Sequence, residues 1–129
     1  MQTVGVICEY NPFHLGHARQ FAAIRHQLGQ DAAIVCLMSG NYVQRGEPAV
    51  FDKLTRARAA ADAGADLVLE LPITCALQSA EGFAAGGVRI LSQLGCGYLS
   101  FGCESGSADA LLRAAGASRT PEFEAALHE

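Results

Sequence analysis

His14 and His17 lie three residues apart with Gly16 between them, where the apolar run from Val4 to Cys8 gives way to a helical pattern. Imidazole titrates near neutrality and offers both a donor and an acceptor, so such a pair can stabilise phosphate oxygens. The junction itself favours anions. Unpaired N–H groups and the positive end of the helix dipole meet at a helix start, worth roughly 0.3–1 kcal/mol at an exposed end. Gly16, lacking a Cβ, lets a phosphate approach the main chain. His-x-x-His spacing also suits a metal, since i and i+3 share a helix face. Yet Glu9 is the one carboxylate close by in sequence, and His26 lies more than two helical turns past His17. Phosphate chemistry is therefore preferred, with structural and metal roles as the alternatives. Nucleotidyl transfer needs little covalent help: the site holds the attacking group in line and neutralises charge developing on the α-phosphate and the departing pyrophosphate.

These residues need a strand before them and a helix behind. Thr3 to Glu9 reads as the first strand, Asn11-Pro12 as a turn, and Ala18 to Leu28 as an amphipathic helix with Phe21, Ile24 and Leu28 on one stripe, stopped by Gly29. Ala32 to Met38 is expected to be a second strand, followed by a loop from Ser39 to Phe51. Asp52 caps a helix ending near Ala63, and Asp66 to Leu71 is a third strand closed by Pro72. Ser79 caps a core-facing helix to Leu94, Gly97 to Gly102 is a fourth strand, Ser107 opens a helix to about Ala115, and Thr120-Pro121 starts another. Strands alternating with helices imply a doubly wound, mostly parallel sheet with helices on both faces. The expected order 3-2-1-4 puts the switch point between strands one and four, bringing Gly102 beside His14 and His17.

Length and composition set the bounds. The 129 residues suit one domain, half of them hydrophobic and 17% charged. Neither a membrane-length apolar run nor a secretory signal is visible, which points to a soluble, cytoplasmic protein. Cys8, Cys36, Cys75, Cys96 and Cys103 form no Cys-x-x-Cys pair and read as reduced, packed thiols rather than metal or redox groups. A net charge of −4 argues against this chain gripping nucleic acid alone. Arg45, Lys53, Arg56 and Arg58 outnumber Glu47 and Asp52 locally; a solvated helix face is preferred to a polyanion contact.

The segment Glu9-Tyr10-Asn11-Pro12-Phe13-His14-Leu15-Gly16-His17 resembles the His-x-Gly-His motif of the nucleotidyltransferase superfamily. Met38-Ser39-Gly40-Asn41, Val43-Gln44-Arg45-Gly46-Glu47-Pro48-Ala49, Gly64 to Pro72, Gln78 to Glu81 and Phe101-Gly102-Cys103-Glu104 extend the likeness. Together they resemble the bacterial tRNA(Met) cytidine acetate ligase family from Val4 to about Glu104. The resemblance implies a Rossmann-like fold of the nucleotidyltransferase (HUP) type. It also implies an enzyme that uses ATP to activate acetate as acetyl-adenylate and passes the acetyl group to N4 of the wobble cytidine of elongator tRNA(Met). By that likeness ATP is surrounded by Ile7, Cys8, Glu9, Tyr10, Asn11, Pro12, Phe13, His14, Gly16, His17, Gln20 and Gly102, with His14 and His17 stabilising the phosphates. Neither transfer needs a covalent enzyme intermediate, in keeping with the absence of a Ser/His/Asp or Cys/His constellation. Mg2+ is expected with ATP, its ligands drawn mainly from the triphosphate because no carboxylate cluster marks a protein cage.

Family members carry an Ile-Ser-Ser-Thr-x-x-Arg-like motif and a basic, helical tRNA-binding portion downstream. Ser118-Arg119-Thr120 is a poor match to the first, so the chain reads as the amino-terminal part of a longer protein or a truncated gene product. In the loop after strand two, Asn41, Gln44 and Arg45 are candidates to close over acetate, phosphate or the tRNA end; the alternative is an Arg45–Glu47 surface pair. Glu104 is a candidate nucleotide contact, Lys53 reads as a solvated lysine, and Asp66 and Glu70 read as structural. Two other functions stay open: an adenylyl- or cytidylyltransferase acting on a phosphorylated small molecule, and a noncatalytic nucleotide-binding module.

Overall fold

The computed structural model describes residues 1–103 and 107–127. Four strands form one sheet in the order β3-β2-β1-β4: β1 (Thr3–Cys8), β2 (Ala33–Ser39), β3 (Leu67–Leu71) and β4 (Tyr98–Leu99). Every pairing is parallel, so the expected topology is realised. β2 lies inside the sheet and is covered on both sides, which is why it reads as an unbroken apolar run. Its Ile34, Cys36 and Met38 enter one core with Val4, Val6, Phe21 and Ile24, while Val35 and Leu37 enter another with Leu71 and Leu91. Full burial of such an aliphatic side chain contributes roughly 1.5–3 kcal/mol.

The helices sort by crossover. α1 (Leu15–Leu28) and α2 (Lys53–Asp62) supply the first core; α3 (Ile73–Ala76) and α4 (Ala80–Gln93) supply the second. The change of face occurs as the chain passes from β3 to β4 on the far side of β1, which creates the switch point. α4 approaches β1 closely through two glycines. A Cβ on Gly87 would stand 2.6 Å from Ile7 Cδ1, and one on Gly5 would stand 2.6 Å from Leu91 Cδ1. Asp52 and Ser79 cap α2 and α4 as expected, accepting from Leu54 and Thr55 N–H and from Gly82 N–H. α5 (Ala108–Ala117) and α6 (Pro121–Leu127) follow, with no buried residue among those described.

Four expectations need correction. α1 begins at Leu15, not Ala18, because a histidine caps it where the usual signal is Ser, Thr, Asp or Asn. β4 has two residues instead of six: Gly97 N–H and Ser100 N–H donate to Thr3 and Gly5 carbonyls, and the chain then leaves the sheet. The turn α3 was not anticipated; Ala76 N–H and Cys75 N–H donate to the Pro72 carbonyl. Arg56 is not on a solvated face. It is 1% exposed, whereas Lys53 stays at the surface, half-buried and paired with Glu70 at 2.6 Å. Asp66 and Glu70 are structural, the former accepting from Ile34 N–H at 2.7 Å and pairing with Arg25.

Candidate nucleotide site

At the carboxyl end of β1 the chain turns through Tyr10, in the left-handed region at φ 47°, and enters α1. His14 is the N-cap. Its Nδ1 accepts from Gly16 N–H at 3.1 Å, and its own N–H donates to His17 Nδ1 at 3.1 Å. This reciprocal box ordinarily uses Ser or Thr with Glu or Gln. The two rings stack with centroids 3.7 Å apart and planes 21° apart. With both Nδ1 atoms accepting backbone N–H groups, the neutral rings carry their proton on Nε2. Each imidazole therefore keeps its Nε2–H out of the capping bonds, and both residues line the cleft. Burial, and then the neighbouring His14 ring, holds His17 below its ordinary value of 6.5, which favours that neutral form.

An aromatic cluster fixes the second ring. Tyr10 and Phe13 lie 4.7 and 5.3 Å from His17, centroid to centroid, and both pack on Phe21. The Tyr10 hydroxyl meets Cys36 Sγ at 3.3 Å inside the core, and burial pushes the phenol well above its ordinary range. Cys8 is likewise a buried thiol raised by desolvation; it forms part of the cleft floor.

The cleft encloses about 660 Å³ at the switch point, within the size range of small-molecule sites. Of the residues expected around ATP, Ile7, Cys8, Glu9, Tyr10, His14, Gly16, His17, Gln20 and Gly102 line it. Residues 16 and 102 come together because the short β4 releases the chain towards α1, where Gln20 Nε2 donates to Ser100 Oγ at 3.0 Å. Asn11, Pro12 and Phe13 stand outside the lining. Asn11 Oδ1 accepts from Val50 N–H at 2.7 Å, Pro12 follows a cis peptide, and Phe13 packs behind His17. Gly16 has a second duty: a Cβ there would lie 2.9 Å from the His14 ring. A Cβ on Gly102 meets nothing described within 4 Å.

Val6, Ala23 and Phe101 also line the cleft without having been expected around ATP, as does Arg19, which falls within the Ile7 to Gln20 segment the resemblance implies but is not among its named contacts. Arg19 and Ala23 are three and seven residues beyond Gly16, a helical spacing that offered a signal.

The 41–51 loop folds back on itself. Tyr42 bridges Pro48, and Gly46, at φ 78°, donates to the Val43 carbonyl. Asn41, Gln44 and Arg45 do not line the cleft. Asn41 Oδ1 accepts from Lys53 N–H at 2.9 Å, Gln44 N–H donates to Glu9 Oε1 at 2.7 Å, and Arg45 is exposed without an ion pair to Glu47. Glu104 lies outside the described residues.

A parallel sheet in this order, with a His-x-Gly-His helix start at its switch point, defines a Rossmann-like domain of the nucleotidyltransferase type. The chain belongs to the HIGH nucleotidyl transferase family, whose sequence model matches residues 1–129. It is 49% identical over 130 residues to a tRNA(Met) cytidine acetate ligase of Exiguobacterium sp., covering 98% of this chain and 34% of that protein. A protein of the same name from Lactobacillus delbrueckii subsp. bulgaricus is 54% identical over 104 residues, covering 81% of this chain and 27% of that one. The crystal structure of Thermotoga maritima TmcAL bound with alpha-thio ATP matches with TM-score 0.80 and 46% identity, over 88% of this chain and 27% of that one. The chain thus spans about a third or less of the length of the curated relatives it matches.

Proposed function

We propose that this chain is the ATP-binding, adenylate-forming part of a tRNA(Met) cytidine acetate ligase. The observation that carries the reading is the pair of imidazoles at the α1 start, both Nδ1 atoms tied to backbone N–H groups and both rings on the cleft. The relatives that match nearly the whole chain, and the TmcAL structure with its ATP analogue, support the choice of nucleotide and reaction.

The triphosphate lies at the head of α1, where main-chain N–H groups and the helix dipole favour anions. Acetate attacks the α-phosphorus; a bond forms to its oxygen and the bond to pyrophosphate breaks, giving acetyl-adenylate. His14 and His17 Nε2–H donate to the phosphoryl oxygens as their charge grows, without reorganising, because stacking and capping hold them in place. The cytidine amine then attacks the acyl carbonyl and AMP leaves. Gln44 and Arg45, outside the cleft on the loop that Gln44 N–H ties to Glu9, are assigned to the acceptor in this reading. Mg2+ would be held mainly by the triphosphate and would neutralise its charge, and tRNA(Met) would be held by parts of the ligase outside this chain. Among the described residues no group of three or more His, Cys, Asp or Glu forms a metal cage.

Titration calorimetry with ATP, on the wild type and on a His14→Ala plus His17→Ala variant, tests the binding step. Binding by the wild type that is lost or greatly weakened in the variant is expected; equal behaviour of the two would remove the histidines from the site. ATP–pyrophosphate exchange then distinguishes the acceptors. Exchange that needs a phosphate ester, and not acetate, would replace the ligase reading with a transferase acting on a phosphorylated small molecule.

A further inference from the structure

We propose that Arg56 is a positioning residue for this cleft, acting through Glu9; the effect on nucleotide binding rests on the ATP reading above. Arg56 projects from α2 beneath the carboxyl ends of two strands. Its Nη1 donates to the Glu9 carbonyl at 2.6 Å and the Ser39 carbonyl at 3.1 Å, its Nη2 donates to the Gly40 carbonyl, and its Nε donates to the Phe51 carbonyl at 2.9 Å. One fork thus ties the end of β1, the end of β2 and the end of the 41–51 loop. No carboxylate among the described residues pairs with it.

A buried guanidinium without a contacting acid is a poor way to gain stability, because its desolvation is offset by neutral carbonyls and only at longer range by the carboxylates of Glu9, Asp52 and Glu70. It is well suited to fixing geometry, since the planar fork sets several acceptors in one plane at once. The residue it holds by the carbonyl is Glu9, which lines the cleft and whose side chain accepts from Gln44 N–H at 2.7 Å and from Ser39 Oγ at 3.3 Å. Glu9 is followed by Tyr10, whose ring packs on His17. A contiguous path therefore runs from Arg56 through Glu9 and Tyr10 to His17, with a branch from Glu9 to the loop.

The test compares Arg56→Lys and Arg56→Met with Asp66→Asn. Asp66 bonds to Ile34 N–H and Arg25 at the opposite end of β2, so its variant destabilises the same sheet away from the cleft. Circular dichroism fixes a temperature at which each variant is folded. There, Arg56→Lys is expected to weaken ATP binding roughly tenfold, move the Gln44 amide resonance and shift the His17 imidazole titration, while Asp66→Asn lowers the melting temperature and leaves all three unchanged. Folded Arg56 variants that keep wild-type ATP affinity, Gln44 resonance and His17 titration would overturn the proposal. Should wild type fail to bind ATP, the functional reading falls, and the Gln44 and His17 signals still decide the role of Arg56. Should neither Arg56 variant fold, the wild type decides: its Arg56 Nε–H resonance is expected to shift on adding ATP, and no response would count against positioning.

Discussion

His17 carries a pH dependence whose sign follows from its surroundings. Its folded pKa is held below 6.5, so between that lower value and 6.5 the unfolded chain binds more protons than the folded one. Stability is therefore present in full above 6.5 and is lost as pH falls through this window; protonation at Nδ1 also removes the acceptor used by His14 N–H. Thermal unfolding from pH 7.5 to 4.5 should show this loss, and His17→Gln should reduce it. At Gly102 the expectation concerns ligand rather than fold. Gly102→Val finds open space among the described residues, so the melting temperature should barely move while ATP binding, read by calorimetry, weakens strongly. The histidine pair and Gly102 could be found from sequence because motif and switch-point arguments met there. Arg56 could not: it sits in a run of cations that looks solvated, and its burial arises from carbonyls supplied by residues 9, 39, 40 and 51. Convergence of that kind leaves no periodic trace.

At the level of elements, strands and helices were legible where apolar spacing was strong, as in β2 and α4, and boundaries failed where local chemistry was unusual. The His cap hid the first turn of α1, and β4 was overestimated because Gly97 to Gly102 reads as a strand though only two of its residues form the ladder. Past Leu99 the last bond to β1 is from Ser100 N–H to the Gly5 carbonyl, so Phe101 and Gly102 reach the cleft from outside the ladder. The seating of α4 on β1 also depends on Gly87, the helix's share of the glycine pair. Gly87→Val places branched carbons against Ile7, and this overpacking outweighs the small gain in helix propensity over glycine, so a loss of about 1–3 kcal/mol is expected in urea unfolding. Because Ile7 also lines the cleft, ATP affinity should fall with it.

For the whole molecule, stability is concentrated in the first hundred residues. Leu37, 1% exposed in the second core, should cost about 2–5 kcal/mol when changed to Ala. The described residues of α5 and α6 are all half-buried or exposed, so removing residues 107–129 should cost less than about 1 kcal/mol. Chemical denaturation of both variants checks the contrast, and a large loss on truncation would show that the two helices belong to the core. The His14 cap links this stable body to its chemistry. The Nδ1 that begins α1 leaves the proton of the neutral ring on Nε2, so helix initiation and the proposed ligand recognition share one ring. Replacing His14 by Ala removes both functions together. Asn at that position preserves the cap and deletes the imidazole, so His14→Asn should unfold like wild type yet bind ATP poorly by calorimetry, separating the architectural debt of the histidine from its reactive one.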